Sequence, residues 1–151
     1  MYDMCFCFAK FLLKHRWLYY LLGYTWNGLM ALVGLVISLA LLPFVRPSKW
    51  QWIYCFKLKK AWGGVNFGMM FLRDTTSWDR LSMHEFGHTF QNCLFGPFVL
   101  FIVSIPSGIR YWYRRLKYER KGLIPPTNYD DVWFEKSATD IGQYADEFLK
   151  K

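Results

Sequence analysis

The chain has 151 residues, one domain by length, and carries 19 Lys and Arg against 11 Asp and Glu, a formal net charge of +8. It is 54% hydrophobic and 21% aromatic, yet its mean hydropathy is only +0.06, because the basic residues sit among apolar runs. Apolar stretches bounded by Trp, Tyr, Lys and Arg fit a membrane protein with interfacial anchors, and a bilayer partner accounts for the charge without nucleic acid, for which no recognisable module is present. Cys5, Cys7, Cys55 and Cys93 are spaced too irregularly for a disulfide framework, and no second pair completes a zinc site with Cys5-x-Cys7, so they read as free thiols.

Residues 1–16 mix Phe and Leu with Lys10, Lys14 and Arg16, and the apolar run that follows is too long for a signal peptide. Trp17 to Leu42 gives 26 residues without a charge, roughly 39 Å as a helix, enough to cross a ~30 Å hydrocarbon core with tilt. A transmembrane helix over 17–42 is therefore expected, ended by Pro43 and Pro47 and anchored by Arg46 and Lys49. From Trp50 the period changes to two: Trp50, Trp52, Tyr54, Phe56 and Leu58 share one face, and Gln51, Ile53, Cys55, Lys57 and Lys59 the other. With a turn over 60–64 and an apolar run over 65–72, residues 50–72 predict a β-hairpin. Asn66, Phe67 and Gly68 on its second strand are candidates to hold an extended peptide by strand addition.

A capping box at Thr76-Ser77-Trp78-Asp79 predicts a helix starting near residue 77 and continuing through an apolar run to 105. It carries His84-Glu85-Phe86-Gly87-His88. Histidines four apart on a helix lie one turn apart on one face, where both can ligate one metal ion, and Glu85 projects beside them as a general base. With three His in the chain, a chance match is on the order of one in several hundred. The bland alternative is two histidines that only make hydrogen bonds. A final helix over 130–149 places Glu135, Ala138, Ile141, Gly142, Ala145 and Leu149 on one face. A carboxylate on an apolar stripe is costly unless paired or metal-bound, so Glu135 is the expected third ligand of one Zn²⁺ per chain. For His88 and Glu135 to share an ion, the intervening 94–113 segment is expected to dip in and return rather than cross a membrane once, or the histidine helix is itself membrane-embedded with its site in a polar cavity.

His84-Glu85-Phe86-Gly87-His88-Thr89-Phe90-Gln91, the Trp62-Gly63-Gly64-Val65-Asn66-Phe67-Gly68 stretch and Trp133-Phe134-Glu135-Lys136-Ser137-Ala138 together resemble the gluzincin-type zinc metallopeptidases, specifically small integral-membrane members. The resemblance covers roughly residues 60–142. It implies hydrolysis of a peptide or protein substrate near the membrane, with zinc on His84, His88 and Glu135 and with Glu85 as base. It also implies an aspartate four residues after Glu135 that supports the first histidine. That position is Thr139, and Asp140 follows one residue later as the candidate for the role. Tyr144 and Tyr129 are the candidates to stabilise the oxyanion. The expected fold is a single mainly α membrane domain over 1–151, with one β-hairpin and a zinc site between the H-E-x-x-H helix and the glutamate helix. Basic residues after the first apolar segment outnumber those before it, which favours an inner or plasma membrane with the site facing the cytoplasm. The rival readings are a catalytically silent membrane protein that keeps the metal or fold for structure or partner binding, and a basic membrane-surface adaptor without metal.

Overall fold

The computed structural model describes residues 1–59, 62–75 and 79–151. The expected turn at Lys60-Ala61 and most of the expected capping box at Thr76–Asp79 lie outside them. The described chain is mainly helical with one small sheet, in the order α1 (Tyr2–Lys14), α2 (Arg16–Tyr24), α3 (Gly28–Leu41), β1 (Ser48–Trp50), β2 (Ile53–Leu58), β3 (Gly64–Phe67), β4 (Met70–Asp74), α4 (Asp79–Phe95), α5 (Ile105–Lys117) and α6 (Trp133–Leu149).

The expected transmembrane helix over 17–42 is two helices, α2 and α3, bent by 81°. Hydrogen bonding separates the two within the uncharged run. Thr25 Oγ1 donates back to Leu21 O at 2.6 Å, and the Asn27 amide reaches past the normal helical partner to Leu22 O at 2.9 Å. Helix α3 keeps 14 residues, about 21 Å. Among the described residues no single helix is long and apolar enough to cross a membrane, although the bent pairs Arg16–Tyr24 with Gly28–Leu41 and Asp79–Phe98 with Leu100–Lys121 have the length and composition together.

Instead of one hairpin over 50–72 there are two, joined in a mixed sheet of order β1-β2-β4-β3. Strands β1 and β2 close over Gln51-Trp52, where Gln51 takes φ +49° and its Nε2 donates to Asp146 Oδ1 on α6 at 2.7 Å. Strands β3 and β4 close over Gly68-Met69, and β2 pairs with β4 in parallel, Cys55 opposite Phe71. Gly68 has φ +68°, and a Cβ there would lie 2.8 Å from the Ala31 amide, so its bareness lets α3 lie against the turn. The expected face assignment also changes. Trp50 and Trp52 pack with Ile53 and Cys55 rather than with Phe56 and Leu58, and Cys55 and Phe56 are both buried because both faces of the sheet are covered there. Ile53, Cys55 and Phe71 join the main core with Cys5, Leu12, Tyr19, Phe86, Phe90 and Ile141, and on the other face Phe56, Met70 and Leu72 pack under Ile37, Leu41 and Val45.

The expected continuous helix over 77–105 stops at Phe95. Gly96 takes φ +54°, Pro97 follows, and a 3-10 turn (Gly96–Phe98) and a π turn (Leu100–Ser104) swing the chain through 117° into α5. Helix α5 thus runs back over the sheet end: Tyr111 Oη donates to Trp62 O at 2.6 Å, and Arg110 Nη2 to Asn128 O at 2.6 Å. The 94–113 segment returns, as a shared His88–Glu135 site requires. Asn128 and Asp131 then cap a 3-10 turn (Tyr129–Asp131) that leads into α6.

Candidate metal centre

Two glycines set the α4–α6 crossing. A Cβ on Gly87 would lie 1.8 Å from the Ala138 carbonyl oxygen, and one on Gly142 would lie 1.9 Å from that of Met83. Backbone therefore touches backbone, and side chains from the two helices reach a common point. His84 and His88 project from one face of α4 with their rings edge to face, Nε2 to Nε2 3.1 Å. Glu135 Oε2 lies 3.1 Å from His84 Nε2 and 3.5 Å from His88 Nε2. Donors at tetrahedral corners of an ion bonded at about 2.0–2.1 Å stand about 3.3 Å apart, so these three separations bracket the required edge. Glu135 is fully buried, with the two imidazoles against its Oε2. A buried carboxylate left this way is costly without a cation. The three residues can hold a metal ion.

The far side of each imidazole is also tied. Gln91 Nε2 donates to Phe134 O and to Ser137 Oγ, both at 2.7 Å, which leaves Gln91 Oε1 as an acceptor; it lies 2.7 Å from His88 Nδ1. His88 Nδ1 therefore donates, and a neutral ring turns its Nε2 lone pair to the centre. His84 Nδ1 lies 2.8 Å from Thr139 Oγ1. Thr139, four residues after Glu135, fills the role expected of Asp140. Asp140 instead accepts from Tyr2 Oη at 2.5 Å on the α1 side, because one residue further along α6 turns the side chain about 100° away. Such groups hold ligating rings in one tautomer and orientation. Thr139 was legible from its position four after the glutamate, whereas Gln91 carried no signal beyond being three residues after His88.

Glu85 is buried at 4% exposure beside the histidines. A Cβ at Gly64 would lie 2.5 Å from Glu85 Oε1, so the bare backbone of β3 lets the carboxylate lie against it, and a side chain there would shift Glu85. Burial lifts the Glu85 carboxyl above its ordinary value, with His84 and His88 opposing. Strand β3 is a sheet edge, and its outer side has no strand partner among the described residues. It is fixed to α4 by Asn66 Nδ2 donating to Glu85 O at 3.1 Å and by Asn92 Nδ2 donating to Asn66 Oδ1 at 2.6 Å and to Gly68 O at 3.2 Å. A cleft of about 910 Å³ runs between this strand and α5, reaching His84, Glu85, His88 and Tyr129. Of the expected substrate strand, Asn66 lines this cleft. Phe67 and Gly68 do not: Phe67 packs into the apolar clusters beneath α3 and Gly68 against the α3 backbone, and the cleft wall is Trp62–Asn66 instead. Tyr129 stands at the site, its ring 6.4 Å from that of His84 and its hydroxyl 3.3 Å from Ser107 Oγ. Burial and then the nearby Glu135 hold its phenol well above the usual range, so it stays a proton donor. Tyr144 does not reach the site: its ring packs on Phe6 and under Lys10 at the α1–α6 contact.

Comparison with protein-family models, with curated proteins and with solved structures gives no match for this chain.

Proposed function

We propose that this chain is a zinc-dependent peptidase of the gluzincin type acting at a membrane surface. The observation that carries the reading is the convergence of His84, His88 and the buried Glu135 carboxylate at tetrahedral spacing, with a second carboxylate, Glu85, buried beside them. Two imidazoles and one carboxylate are the donor set of a catalytic zinc, with one corner left for solvent or substrate. When bound, the ion supplies Lewis-acid polarisation of the scissile carbonyl and activates the attacking water.

The protein's own groups supply the rest. Glu85 accepts the proton as water adds to the carbonyl carbon and returns it to the amide nitrogen as the carbon–nitrogen bond breaks, giving an acid and an amine. A carboxyl lifted by burial is the better acceptor near neutral pH. Tyr129, kept protonated, donates toward the carbonyl oxygen as it gains charge. The open edge of β3, with Gly64 to Asn66 along the cleft, offers backbone groups to an extended peptide. The basic residues of α5 support a substrate near a bilayer.

The test is metal content by mass spectrometry on purified protein, followed by cleavage of a peptide library. About one zinc per chain, lost in His88→Ala and in Glu135→Ala, together with cleavage lost in Glu85→Gln at undiminished zinc, is the expected result. Zinc without cleavage by the wild-type chain would make the metal structural and the protein catalytically silent. Wild type without metal would end the reading.

A further inference from the structure

We infer that an anionic lipid bilayer docks on one continuous apolar surface, formed by the outer face of α3, the Phe98–Phe101 elbow and the outer stripe of α5, and that the chain lies in one leaflet without crossing. This deepens the membrane part of the function proposed above and rests on it.

Helix α3 has no polar face. Met30, Gly34, Ile37 and Leu41 point into the protein, toward the sheet and the elbow, while Leu29, Leu32, Val36 and Leu39 on the outer side are 52–59% exposed. A helix with one side already buried should be polar on the other if water covers it. The elbow continues the surface: the turn at Gly96 packs against Trp26 just before α3, and Phe98 and Phe101 are 59% and 68% exposed. Beyond it Phe101, Ile105, Ile109 and Leu116 recur at helical spacing, all exposed, while Ser104, Ser107, Gly108 and Tyr111 on the adjacent side line the cleft, with Trp112 exposed at the border between the two. A monomer that left this surface in water would carry an apolar patch far beyond ordinary size.

Charge names the occupant. No acidic residue occurs between Asp3 and Asp74, and from Arg80 to Tyr118 the one acid is Glu85, which is buried. Arg46 and Lys49 follow α3, and Lys117, Arg120 and Lys121 lie at and just beyond the end of α5, while Arg110 and Arg114 donate to the carbonyls of Asn128, Tyr129 and Thr127 and Arg115 to Tyr111. Apolar contact rimmed by cations and aromatic rings suits anionic headgroups over acyl chains. Geometry excludes a crossing by α3. Its start is held at Gly96 by Trp26, its end is held on the sheet by Leu41 and Val45, and about 21 Å between them is short of a ~30 Å core. It therefore lies in the plane, sunk on the order of 5–10 Å. Helix α5 then has lipid on one side and the cleft on the other, so the cleft opens at the interface and takes peptide segments that lie there.

The test uses the full chain with vesicles of phosphatidylcholine alone or mixed with phosphatidylserine, read by flotation. The chain should float with the mixed vesicles and less well with phosphatidylcholine alone or at high salt. Leu32→Glu/Val36→Glu and Ile109→Glu should each lower the bound fraction on the order of tenfold, with the circular dichroism spectrum and zinc content kept. Phe11→Glu, on α1, should change nothing. A polarity-sensitive dye on Val36→Cys or Ile109→Cys, in a Cys7→Ser background, should be quenched by nitroxides placed shallow in the leaflet. Failure of the wild-type chain to float overturns the membrane reading itself. Flotation that ignores the α3 and α5 variants, falls equally with Phe11→Glu, or comes with quenching at the bilayer centre overturns the surface and the in-plane geometry. Conversion of a dimer to monomer by the same variants, with flotation unchanged, would give the face to a second copy.

Discussion

Gly87→Ala adds one methyl group at the α4–α6 crossing. The new Cβ would lie 1.8 Å from Ala138 O, 2.6 Å from its carbonyl carbon and 2.9 Å from its Cα, where ordinary contact begins near 3.4 Å. A helical carbonyl has no rotamer to escape into, so α6 must retreat locally by about 1.5 Å. Glu135 lies three residues before Ala138 and moves with it. Its Oε2 would go from 3.1 Å of His84 Nε2 toward about 4.5 Å, outside the ~3.3 Å tetrahedral edge. Side-chain adjustment recovers part of this, which leaves an expected loss of about 100-fold in zinc affinity, ~2.7 kcal/mol. Stability should fall by about 1–3 kcal/mol from overpacking, against about 1 kcal/mol gained from helix propensity. Zinc competition against a chromogenic chelator and urea unfolding of the metal-free protein read the two effects separately. Gly108→Ala is the control, since nothing lies within 4 Å of its Cβ position, and it should keep wild-type affinity. If Gly87→Ala binds zinc within about threefold of wild type and unfolds no earlier, bare backbone contact is not what brings the ligands together.

Gln91→Leu removes the acceptor for His88 Nδ1 and the amide donor to Phe134 O and Ser137 Oγ; zinc affinity should drop about 10–100-fold by the same chelator assay, and an unchanged affinity would remove Gln91 from the site. In the metal-free protein, burial works to lower the His88 pKa but the Glu135 carboxylate overrides it and lifts the ring to about 9. That stabilisation is fully present below the unfolded value of about 6.5 and is lost as pH rises through about 9. Glu135 is pulled the other way: burial raises it, His84 and His88 outweigh that, and its contribution is lost as pH falls below about 4.5. Melting of the metal-free chain should therefore be highest between about pH 4.5 and 6.5 and fall from pH 7 to 9, whereas a rise over that alkaline range would contradict the His88–Glu135 pairing. Native thiol labelling should modify Cys7, which is exposed, well before Cys5, Cys55 and Cys93, which are buried; burial pushes the Cys5 thiol up to about 11 and that of Cys93 to about 12. Mass-spectrometric mapping showing Cys93 labelled as fast as Cys7 would mean the α2–α4 packing is not as described.

The group that could hold a metal ion was legible in the sequence because its logic is local. His84 and His88 are one helical turn apart whatever surrounds them, and Glu135 stood out as a charge on the apolar stripe of Ala138, Ile141 and Ala145. The elements α4 and α6 were legible for the same reason. Helix boundaries inside apolar runs were not. Nothing in the hydropathy of Trp17–Leu42 marks the break at Thr25–Asn27, where side-chain and main-chain hydrogen bonds compete with the helix. The alternation of Ile53 and Cys55 against Phe56 and Leu58 was legible, but the turn at Gln51-Trp52 that puts Trp50 and Trp52 on the other side was not, and period two does not say which face is buried when α3 covers one side and the main core the other. Which polar groups hold the imidazoles was likewise decided in three dimensions. Asp140 has the better chemistry and Thr139 the better angle, and on a helix the angle wins because a neighbouring residue points about 100° away. The sequence alone determined which atoms can bind a cation. The distance between them was decided by the close backbone approach at Gly87 and Gly142, a contact between segments far apart in the chain that no local pattern contains.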